Sequence, residues 1–314
     1  MTEHGPLLAR FARPTAETRT RIAVLADLHL SVTDSGSWRV SHRTTDRLET
    51  TVAMLNRQSD LDGVLFLGDL VQSGRPAEYE AFDAVIDDLQ VPWFAIPGNH
   101  DLIDWGDGDA LTLPEFVDRY APNAYPVHHR FGDVDILALN SNSSTPEQVA
   151  DTYRGRLSDE TLSWLDRKLA TLSDPIVAVH HNLPASREQL MDALSELPVD
   201  GGSPAFENAD TLVDVLQPHD PALVLTGHVH IPTVRDNRGV REFSLPSLGP
   251  YPNAYTVLEV GPAGTDAWLH PISTYDDRLE SFVLGYEHCR VQLTAVQLAG
   301  LPLVDDSLDS ANKS

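Results

Sequence analysis

The sequence has a single cysteine, Cys289, among its 314 residues. One cysteine excludes an intrachain disulfide and a zinc site built from several cysteines. No run of about 18 apolar residues occurs, so we expect no membrane span. The first 21 residues lack the apolar core and small-residue cleavage site of a secretory signal. We therefore expect a cytoplasmic protein whose one thiol is a passive, partly buried side chain.

Lysine is nearly absent, since only Lys168 and Lys313 occur, and 47 acidic residues outnumber 22 basic ones. The formal net charge is -25. Self-repulsion of this size destabilises a compact state in dilute salt, and halophilic proteins use such compositions. The composition favours a salt-adapted source, and an ordinary acidic protein from a GC-rich genome is the alternative. Either source argues against extended nucleic-acid binding, which needs a broad basic surface.

Six short apolar segments are typical of buried strands, and each stops at or just before a polar residue. They are residues 22–26, 64–67, 91–96, 136–139, 176–179 and 223–225. Apolar residues recur with helical spacing at 44–58, 76–89 and 158–172. This alternation predicts an α/β layered domain, with its ligands beyond the carboxyl ends of the strands. After residue 233, short strands joined by Gly, Asn and Pro turns indicate a second sheet that completes the domain.

The same patterns predict the domain organisation. We expect one catalytic domain at residues 21–284, an N-terminal extension at 1–20 and a C-terminal extension at 285–314. The last ten residues, 305–314, are polar and predict a disordered tail. Residues 102–130 read as a long irregular insertion with a short helix around 114–120, and loops of this length often act as lids.

Acidic, amide and histidine residues cluster in motifs at the predicted strand ends. The motifs are Asp27-x-His29, Gly68-Asp69, Gly98-Asn99-His100-Asp101 and Gly227-His228-Val229-His230. Each alone fits a turn, a helix cap or an ordinary strand, but together and in this order they predict a metal site. Two divalent ions about 3.5–4 Å apart can hold the attacking and leaving oxygens of a phosphoryl transfer. Mixed nitrogen and oxygen ligands suit manganese, iron or zinc.

This ordered set of motifs resembles the calcineurin-like metallophosphoesterase superfamily. The resemblance is closest to its class III cyclic-nucleotide phosphodiesterase group, whose further pattern is matched by Gly155-Arg156-Leu157 and by residues 161–165, TLSWL. The resemblance covers about residues 21 to 275, most of one domain. It implies a four-layer α/β/β/α sandwich of two mixed sheets flanked by helices.

The resemblance also implies roles for individual residues, with a metal-bridging hydroxide attacking phosphorus. One divalent ion would be held by Asp27, His29, Asp69 and His230. The second would be held by Asp69, Asn99, His180 and His228, with Asp69 bridging the two. His100 would stabilise the developing charge and protonate the leaving oxygen, and Asp101 would orient His100.

One motif departs from the family pattern. Its His-His-Pro is replaced here by His180-His181-Asn182-Leu183-Pro184, so His181 is the alternative to His180 as a ligand, or it faces the pocket. Asn142, after a strand, and Trp105, in the insertion, are further candidates for substrate contact. A simple turn and ordinary packing are the respective alternatives.

The activity implied by the resemblance is hydrolysis of small phosphodiesters, with cyclic nucleotides as candidate substrates. A phosphomonoesterase using the same two ions is the alternative, and a non-catalytic scaffold or a DNA nuclease are weaker ones. A diester carries one negative charge and a monoester two, so the scarcity of Lys and Arg near the motifs favours the diester. The sequence leaves the oligomeric state open, with a homodimer among the candidates.

Overall fold

The computed structural model describes residues 5–32, 37–102, 110–142, 154–196 and 206–307. Its framework is a pair of six-stranded mixed sheets. The first sheet has the order β1-β12-β11-β2-β3-β4. Its strands are β1 (Leu7–Phe11), β2 (Thr20–Leu25), β3 (Gly63–Phe66), β4 (Trp93–Ala95), β11 (Ala254–Gly261) and β12 (Gly264–Pro271). Strands β2, β3 and β4 are parallel, and β11, β12 and β1 pair antiparallel beside them.

The second sheet has the order β5-β6-β7-β8-β10-β9. Its strands are β5 (Val127–Phe131), β6 (Val134–Ala138), β7 (Ile176–Ala178), β8 (Leu223–Thr226), β9 (Thr233–Asn237) and β10 (Val240–Ser244). Strands β6, β7, β8 and β10 are parallel, and the edge strands β5 and β9 are antiparallel to their neighbours.

Eight α-helices occur in the described part of the chain. They are α1 (Thr44–Asn56), α2 (Pro76–Ile86), α3 (Leu113–Tyr120), α4 (Asp159–Leu169), α5 (Pro184–Glu196), α6 (Ala209–Leu216), α7 (Tyr275–Gly285) and α8 (Cys289–Ala299). None of them is long and apolar enough to cross a membrane.

Alternation along the strands creates the four layers. In β2, Ile22 and Val24 face a cluster between the two sheets, whereas Ala23 and Leu25 face α1 and α2. In β8, Leu225 joins the cluster between the sheets, and Val224 packs beneath α4 and α6. Side chains of successive strand residues point to opposite faces, so each sheet is apolar on both sides. The predicted four-layer α/β/β/α sandwich is confirmed.

The prediction that the strands after residue 233 form one separate sheet is wrong, because they divide between the two sheets. Strands β9 and β10 do lie in the second sheet, where β10 runs parallel to β8. Strands β11 and β12 complete the first sheet instead, because β11 pairs antiparallel with β2. Pairing across more than 230 residues leaves no local signal in the sequence.

The insertion predicted at 102–130 is more regular than expected. Its short helix is confirmed as α3, which begins with a capping box between Thr112 and Glu115. The irregular backbone predicted for its last residues is wrong, because 127–130 belong to β5 in a hairpin with β6. This strand carries polar residues at its centre (VHHRF), so a search for apolar runs overlooks it.

The predicted terminal extensions contain regular structure. Strand β1 forms the edge of the first sheet, next to β12. Helix α8 lies within 285–314. Disorder is wrong for the start of the tail, because the Asp306 carboxylate accepts a hydrogen bond from the Ala12 amide (2.9 Å) and pairs with Arg241 (2.5 Å). Residues 308–314 of that tail lie outside the described residues.

Candidate metal centre and active site

Seven residues predicted as metal ligands converge where the carboxyl ends of strands from both sheets meet. Asp27 and His29 follow β2, Asp69 follows β3, and Asn99 follows β4. His180 follows β7, and both His228 and His230 follow β8. All seven are buried. Parallel strands in each sheet bring their carboxyl ends to the same edge, which is why residues far apart in sequence meet.

The backbone at five of these residues adopts a left-handed conformation. The φ angles are 53° at Asp27, 49° at His29, 54° at Asp69, 66° at His228 and 61° at His230. This conformation costs a non-glycine residue roughly 1–2 kcal/mol. Strain of this kind persists only where the surrounding structure holds it, and it concentrates at functional sites.

The first ligand group consists of Asp27, His29, Asp69 and His230. The Nε2 atoms of His29 and His230 lie 3.0 Å apart. His230 Nε2 is 3.3 Å from Asp27 Oδ1, and His29 Nε2 is 3.6 Å from Asp69 Oδ2. One ligand atom from each residue thus lies within 4.8 Å of the others.

The second ligand group consists of Asp69, His180 and His228, with Asn99 between them. His180 Nε2 is 3.4 Å from Asp69 Oδ2 and 3.2 Å from Asn99 Oδ1. His228 Nδ1 is 2.8 Å from the same amide oxygen. Asp69 belongs to both groups, so its carboxylate lies where the two groups meet.

Two divalent cations fit this donor set. Asp27 and Asp69 are almost completely buried, and in the described part of the chain neither pairs with a lysine or arginine. Buried carboxylates need charge compensation, and bound cations supply it. The close approach of two imidazole Nε2 atoms also suits a shared cation, because neutral imidazole donates a lone pair to a metal.

The histidine pKa values have identifiable causes. Burial, with the neighbouring His100, lowers the pKa of His29 well below its usual range. Burial also lowers the pKa of His230 to about 4, against the opposing effect of Asp27. Burial acts the same way on His180, but the adjacent Asp69 carboxylate outweighs it and raises that pKa to about 9. A cation bound at Asp69 would favour neutral His180 as a ligand.

Of the His-His pair, His180 rather than His181 lies in the second group, the position expected of the predicted ligand. Its Nδ1–H donates to the Leu67 carbonyl at 2.8 Å, so Nε2 is left to face Asp69 and Asn99. A second hydrogen bond of this kind fixes both the tautomer and the ring orientation of a ligating histidine. The Nδ1 atom of His181 instead lies 2.8 Å from Ser141 Oγ.

His100 lies beside the first group without joining it. Its backbone amide donates to Asp69 Oδ1 at 2.8 Å, and its ring meets His29 edge-on, with centroids 4.7 Å apart. Its Nδ1–H donates to the Gln72 carbonyl at 2.6 Å, so Nε2 is the atom that can exchange a proton. Burial lowers the pKa of His100.

The predicted role of Asp101 as the partner that orients His100 is wrong. Its carboxylate accepts hydrogen bonds from the Gly98 amide (2.7 Å) and the Val71 amide (3.1 Å). Asp101 therefore braces the loop that carries Asn99, and Gln72 orients His100. The motif places Asp101 next to His100 in sequence, but the turn directs its side chain toward the backbone.

Of the three candidates for substrate contact, the structure describes Asn142 and His181. Asn142 is buried, and its amide donates to the Pro97 carbonyl at 2.6 Å, so it supports the Asn99 loop. His181 is also buried, with its ring centroid 4.6 Å from that of His228. Trp105 lies outside the described residues.

Gly155 explains part of the downstream pattern. A Cβ atom at this position would lie 2.6 Å from Cγ of His181, so only glycine lets the chain approach that ring. The Gly155-Arg156-Leu157 motif therefore seats the histidine beside the second ligand group.

Sequence reasoning missed four residues around the site. Trp38 lies 5.5 Å from His230 between ring centroids, and it stacks on His288 at 3.8 Å. The guanidinium carbons of Arg39 and Arg290 lie 4.8 and 5.9 Å from the centre of the Trp38 ring. Apart from the closeness of Trp38 to the Asp27-x-His29 motif, no motif or spacing marks these residues.

Comparisons with known proteins agree with this geometry. The model of the family described as calcineurin-like phosphoesterase matches residues 20–232. A 3′,5′-cyclic-nucleotide phosphodiesterase of Nostoc sp. is 26% identical over 229 residues, which cover 72% of this chain and 77% of the relative. A protein of Synechococcus sp. described as a probable cyclic nucleotide phosphodiesterase is 29% identical over 267 residues, covering 81% of this chain and 92% of the relative.

Among solved structures, a dimetal phosphatase from Danio rerio superposes with a TM-score of 0.60 at 15% identity. The superposition covers 81% of this chain and 99% of that structure. At this identity the likeness shows a shared fold alone.

Proposed function

The chain belongs to the calcineurin-like phosphoesterase family of metal-dependent phosphoester hydrolases, and we propose that it hydrolyses small phosphodiesters, with cyclic nucleotides as the leading candidates, at a binuclear centre. The observation that carries the proposal is the sharing of Asp69 between two adjacent ligand groups. The cyclic-nucleotide phosphodiesterases among its relatives support the substrate class.

We assign Asp27, His29, Asp69 and His230 to one ion, and Asp69, Asn99, His180 and His228 to the other. Manganese, iron or zinc suits this mixture of nitrogen and oxygen donors. Two such ions would supply Lewis acidity toward the phosphate oxygens and would make a water molecule more acidic.

His100 is the residue we assign to proton transfer. The Gln72 carbonyl holds its Nδ1–H, so the ring presents Nε2 beside the first ligand group. An anionic substrate next to the ring favours the charged imidazole and raises its pKa. Nε2 then carries the proton that the departing alkoxide requires.

Rigid positioning supports this assignment. The amide of His100 donates to the carboxylate of Asp69, which both ligand groups share. The Asp101 carboxylate accepts a hydrogen bond from the Gly98 amide and so fixes the loop that carries Asn99 and His100. One short loop therefore positions both Asn99, the proposed ligand, and His100, the proposed proton donor. Little rearrangement is needed when substrate binds.

Phosphomonoester hydrolysis is the second candidate, and one observation favours it. The structure brings Arg39 and Arg290 to the edge of the site, although the sequence had suggested a scarcity of basic residues there. The Arg39 charge, after the larger effect of burial, contributes to the lowered pKa values of His29 and His100. Two cationic groups would also accommodate a dianionic monoester.

The substrate test compares bis-(4-nitrophenyl) phosphate with 4-nitrophenyl phosphate on one preparation loaded with Mn²⁺, at several salt concentrations. A parallel panel contains 3′,5′-cyclic AMP, 2′,3′-cyclic AMP and a glycerophosphodiester. We expect higher kcat/KM for the diesters. Faster turnover of the monoester would exclude the diesterase proposal, and metal analysis showing fewer than two ions per chain would exclude the binuclear centre.

Salt concentration matters in this test. The net charge of -25 with only two lysines supports our proposal that the protein is adapted to high salt. We also propose a cytoplasmic location, consistent with a chain that has one cysteine. Activity that falls steadily from low to molar salt would contradict the proposed adaptation.

A further inference from the structure

Helix α8 lies against the loop that carries His228 and His230. This helix follows the residues matched by the family model, which end at 232. Nothing in the motifs assigns it a role. Its contacts with the loop are both polar and apolar, and they involve successive turns of the helix.

The polar contacts hold two carbonyl groups. Arg290 Nη1 donates to the His228 carbonyl at 3.0 Å. Thr294 Oγ1 donates to the His230 carbonyl at 3.1 Å, and Thr294 is fully buried. Residues four apart lie on the same face of a helix, so one face of α8 binds the backbone of both proposed ligands.

The apolar contacts are made by other residues of the same loop. Val229 and Ile231, which alternate with the two histidines, are buried in a cluster with Cys289 and Leu293 of α8. Leu190 and Leu194 of α5 complete this cluster, so α5 and α8 both pack on the loop through apolar side chains.

The start of α8 is tied to the segment that follows His29. His288, at the N-cap, stacks on Trp38 with centroids 3.8 Å apart and an interplanar angle of 14°. The indole in turn lies 5.5 Å from the ring of His230. The helix therefore contacts the surroundings of the first ligand group both through the His228–His230 loop and through Trp38.

The contacts with α8 hold two residues, His228 and His230, whose backbone is strained. His228 and His230 have φ angles of 66° and 61°, which a non-glycine residue leaves unless its surroundings prevent it. The hydrogen bonds from Arg290 and Thr294 end on the carbonyls of these two residues. Relaxation of either residue would rotate its carbonyl away from α8 and its imidazole away from the ligand group.

We propose that α8 is part of the metal centre, with Arg290 and Thr294 as positioning residues that hold the His228–His230 loop in its ligating conformation. The proposal rests on the metal assignment given above. It predicts that the helix contributes to metal affinity although none of its side chains is a proposed ligand.

The test measures Mn²⁺ binding by isothermal titration calorimetry on the full chain after removal of metal with a chelator. We expect Arg290→Met and Thr294→Val each to weaken Mn²⁺ binding by about 10- to 100-fold, the usual effect of losing an outer-shell partner of a ligand. Thr294→Ser keeps the hydroxyl and should bind Mn²⁺ nearly as well as the wild type.

Matched controls separate positioning from general stability. Arg238→Met removes an arginine that donates to the Asp210 carbonyl, and Thr51→Val removes a buried helical hydroxyl that donates to the Arg47 carbonyl. Neither should change Mn²⁺ affinity. The melting temperature of every metal-free variant, followed by circular dichroism, shows whether the fold survives.

The outcomes are distinct. Wild-type protein that binds neither Mn²⁺ nor, in a parallel titration, Zn²⁺ refutes the metal centre itself. If Arg290→Met and Thr294→Val bind Mn²⁺ as tightly as the wild type, the positioning role alone is refuted. It is also refuted if the Thr51→Val control loses as much Mn²⁺ affinity as Thr294→Val does.

Discussion

The Nε2 atoms of His29 and His230 lie 3.0 Å apart, although His29 follows a strand of the first sheet and His230 follows a strand of the second. The pair therefore joins the two sheets at their carboxyl ends. Asp27 and Asp69 lie beside it without a lysine or arginine partner among the described residues. The arrangement concentrates lone pairs and negative charge at one buried point. A bound cation would accept the lone pairs and compensate the negative charge.

Metal removal should consequently destabilise the protein. A ligand that binds only the native state adds about 2.7 kcal/mol of stability per site at 100 times its Kd. We expect chelator-treated protein to unfold at lower urea concentration than protein with saturating Mn²⁺. The difference should shrink strongly in His29→Ala and persist in His219→Ala, whose partly buried ring contacts Asp166. An equal effect of Mn²⁺ on both variants would argue against binding at the His29–His230 pair.

Asp69→Asn should reduce both metal content and activity, because one carboxylate serves both ligand groups. An amide keeps the shape but loses the charge that holds a divalent ion. We expect metal content below one ion per chain by elemental analysis, and activity reduced by well over the roughly 100-fold typical of an outer-shell change. Asp210→Asn, on the exposed start of α6, provides the control for loss of one negative charge. Two tightly bound ions with full activity in Asp69→Asn would refute the bridging role.

His100→Ala should leave the metal content unchanged while slowing turnover. Loss of a proton-transfer group typically costs about 10²–10⁴-fold in rate. The measurements are metal content and kcat as a function of pH, with His128→Ala, a change at an exposed residue of β5, as the control. A leaving group of low pKa, such as 4-nitrophenolate, needs less protonation, so the defect should be larger for an alkyl diester. If metal is lost as well, His100 is a ligand.

Gly155→Ala should disturb His181 and the second ligand group. The added Cβ would lie 2.6 Å from Cγ of His181, and overpacking of this kind costs about 1–3 kcal/mol. Urea unfolding provides the measurement. Gly261→Ala is the matched control, because its Cβ meets nothing within 4 Å. Equal stability of the two variants would show that the His181 ring can move at no cost.

Glu242 should make stability dependent on pH. Its carboxylate is buried and accepts hydrogen bonds that include those from Thr226 (2.7 Å), Ser186 (2.7 Å) and the Leu183 amide (3.1 Å). Burial outweighs these hydrogen bonds and raises the pKa of Glu242. A raised native pKa means that its contribution to stability is complete below the unfolded pKa, about 4.3, and declines as pH rises through the native pKa.

The check is urea unfolding of metal-free Glu242→Gln and wild type across the weakly acidic to neutral range. We expect the wild type to lose more stability with rising pH than the variant does. Glu188→Gln, an exposed change on α5, should follow the wild type. A steeper decline in Glu242→Gln than in the wild type would contradict the raised pKa.

The sequence by itself determined the set of candidate ligands. Asp27, Asp69 and His180 each follow an apolar strand. This pattern of a strand followed by a polar residue is local, so it can be recognised in the sequence without any tertiary contact. The parallel arrangement of those strands then brings their ends together. The proposed substrate class rests on motif resemblance, which specifies the family but not the groups that surround the substrate.

Only the tertiary structure decided what surrounds those ligands. The Arg290–His228 and His288–Trp38 contacts join residues separated by 62 and 250 positions. Likewise, Asp101 turns toward backbone amides, and Gln72 holds His100 through a carbonyl that every residue possesses. Strand-end ligands are encoded locally because their position depends on the strand alone, whereas these supporting contacts depend on how distant segments pack against one another.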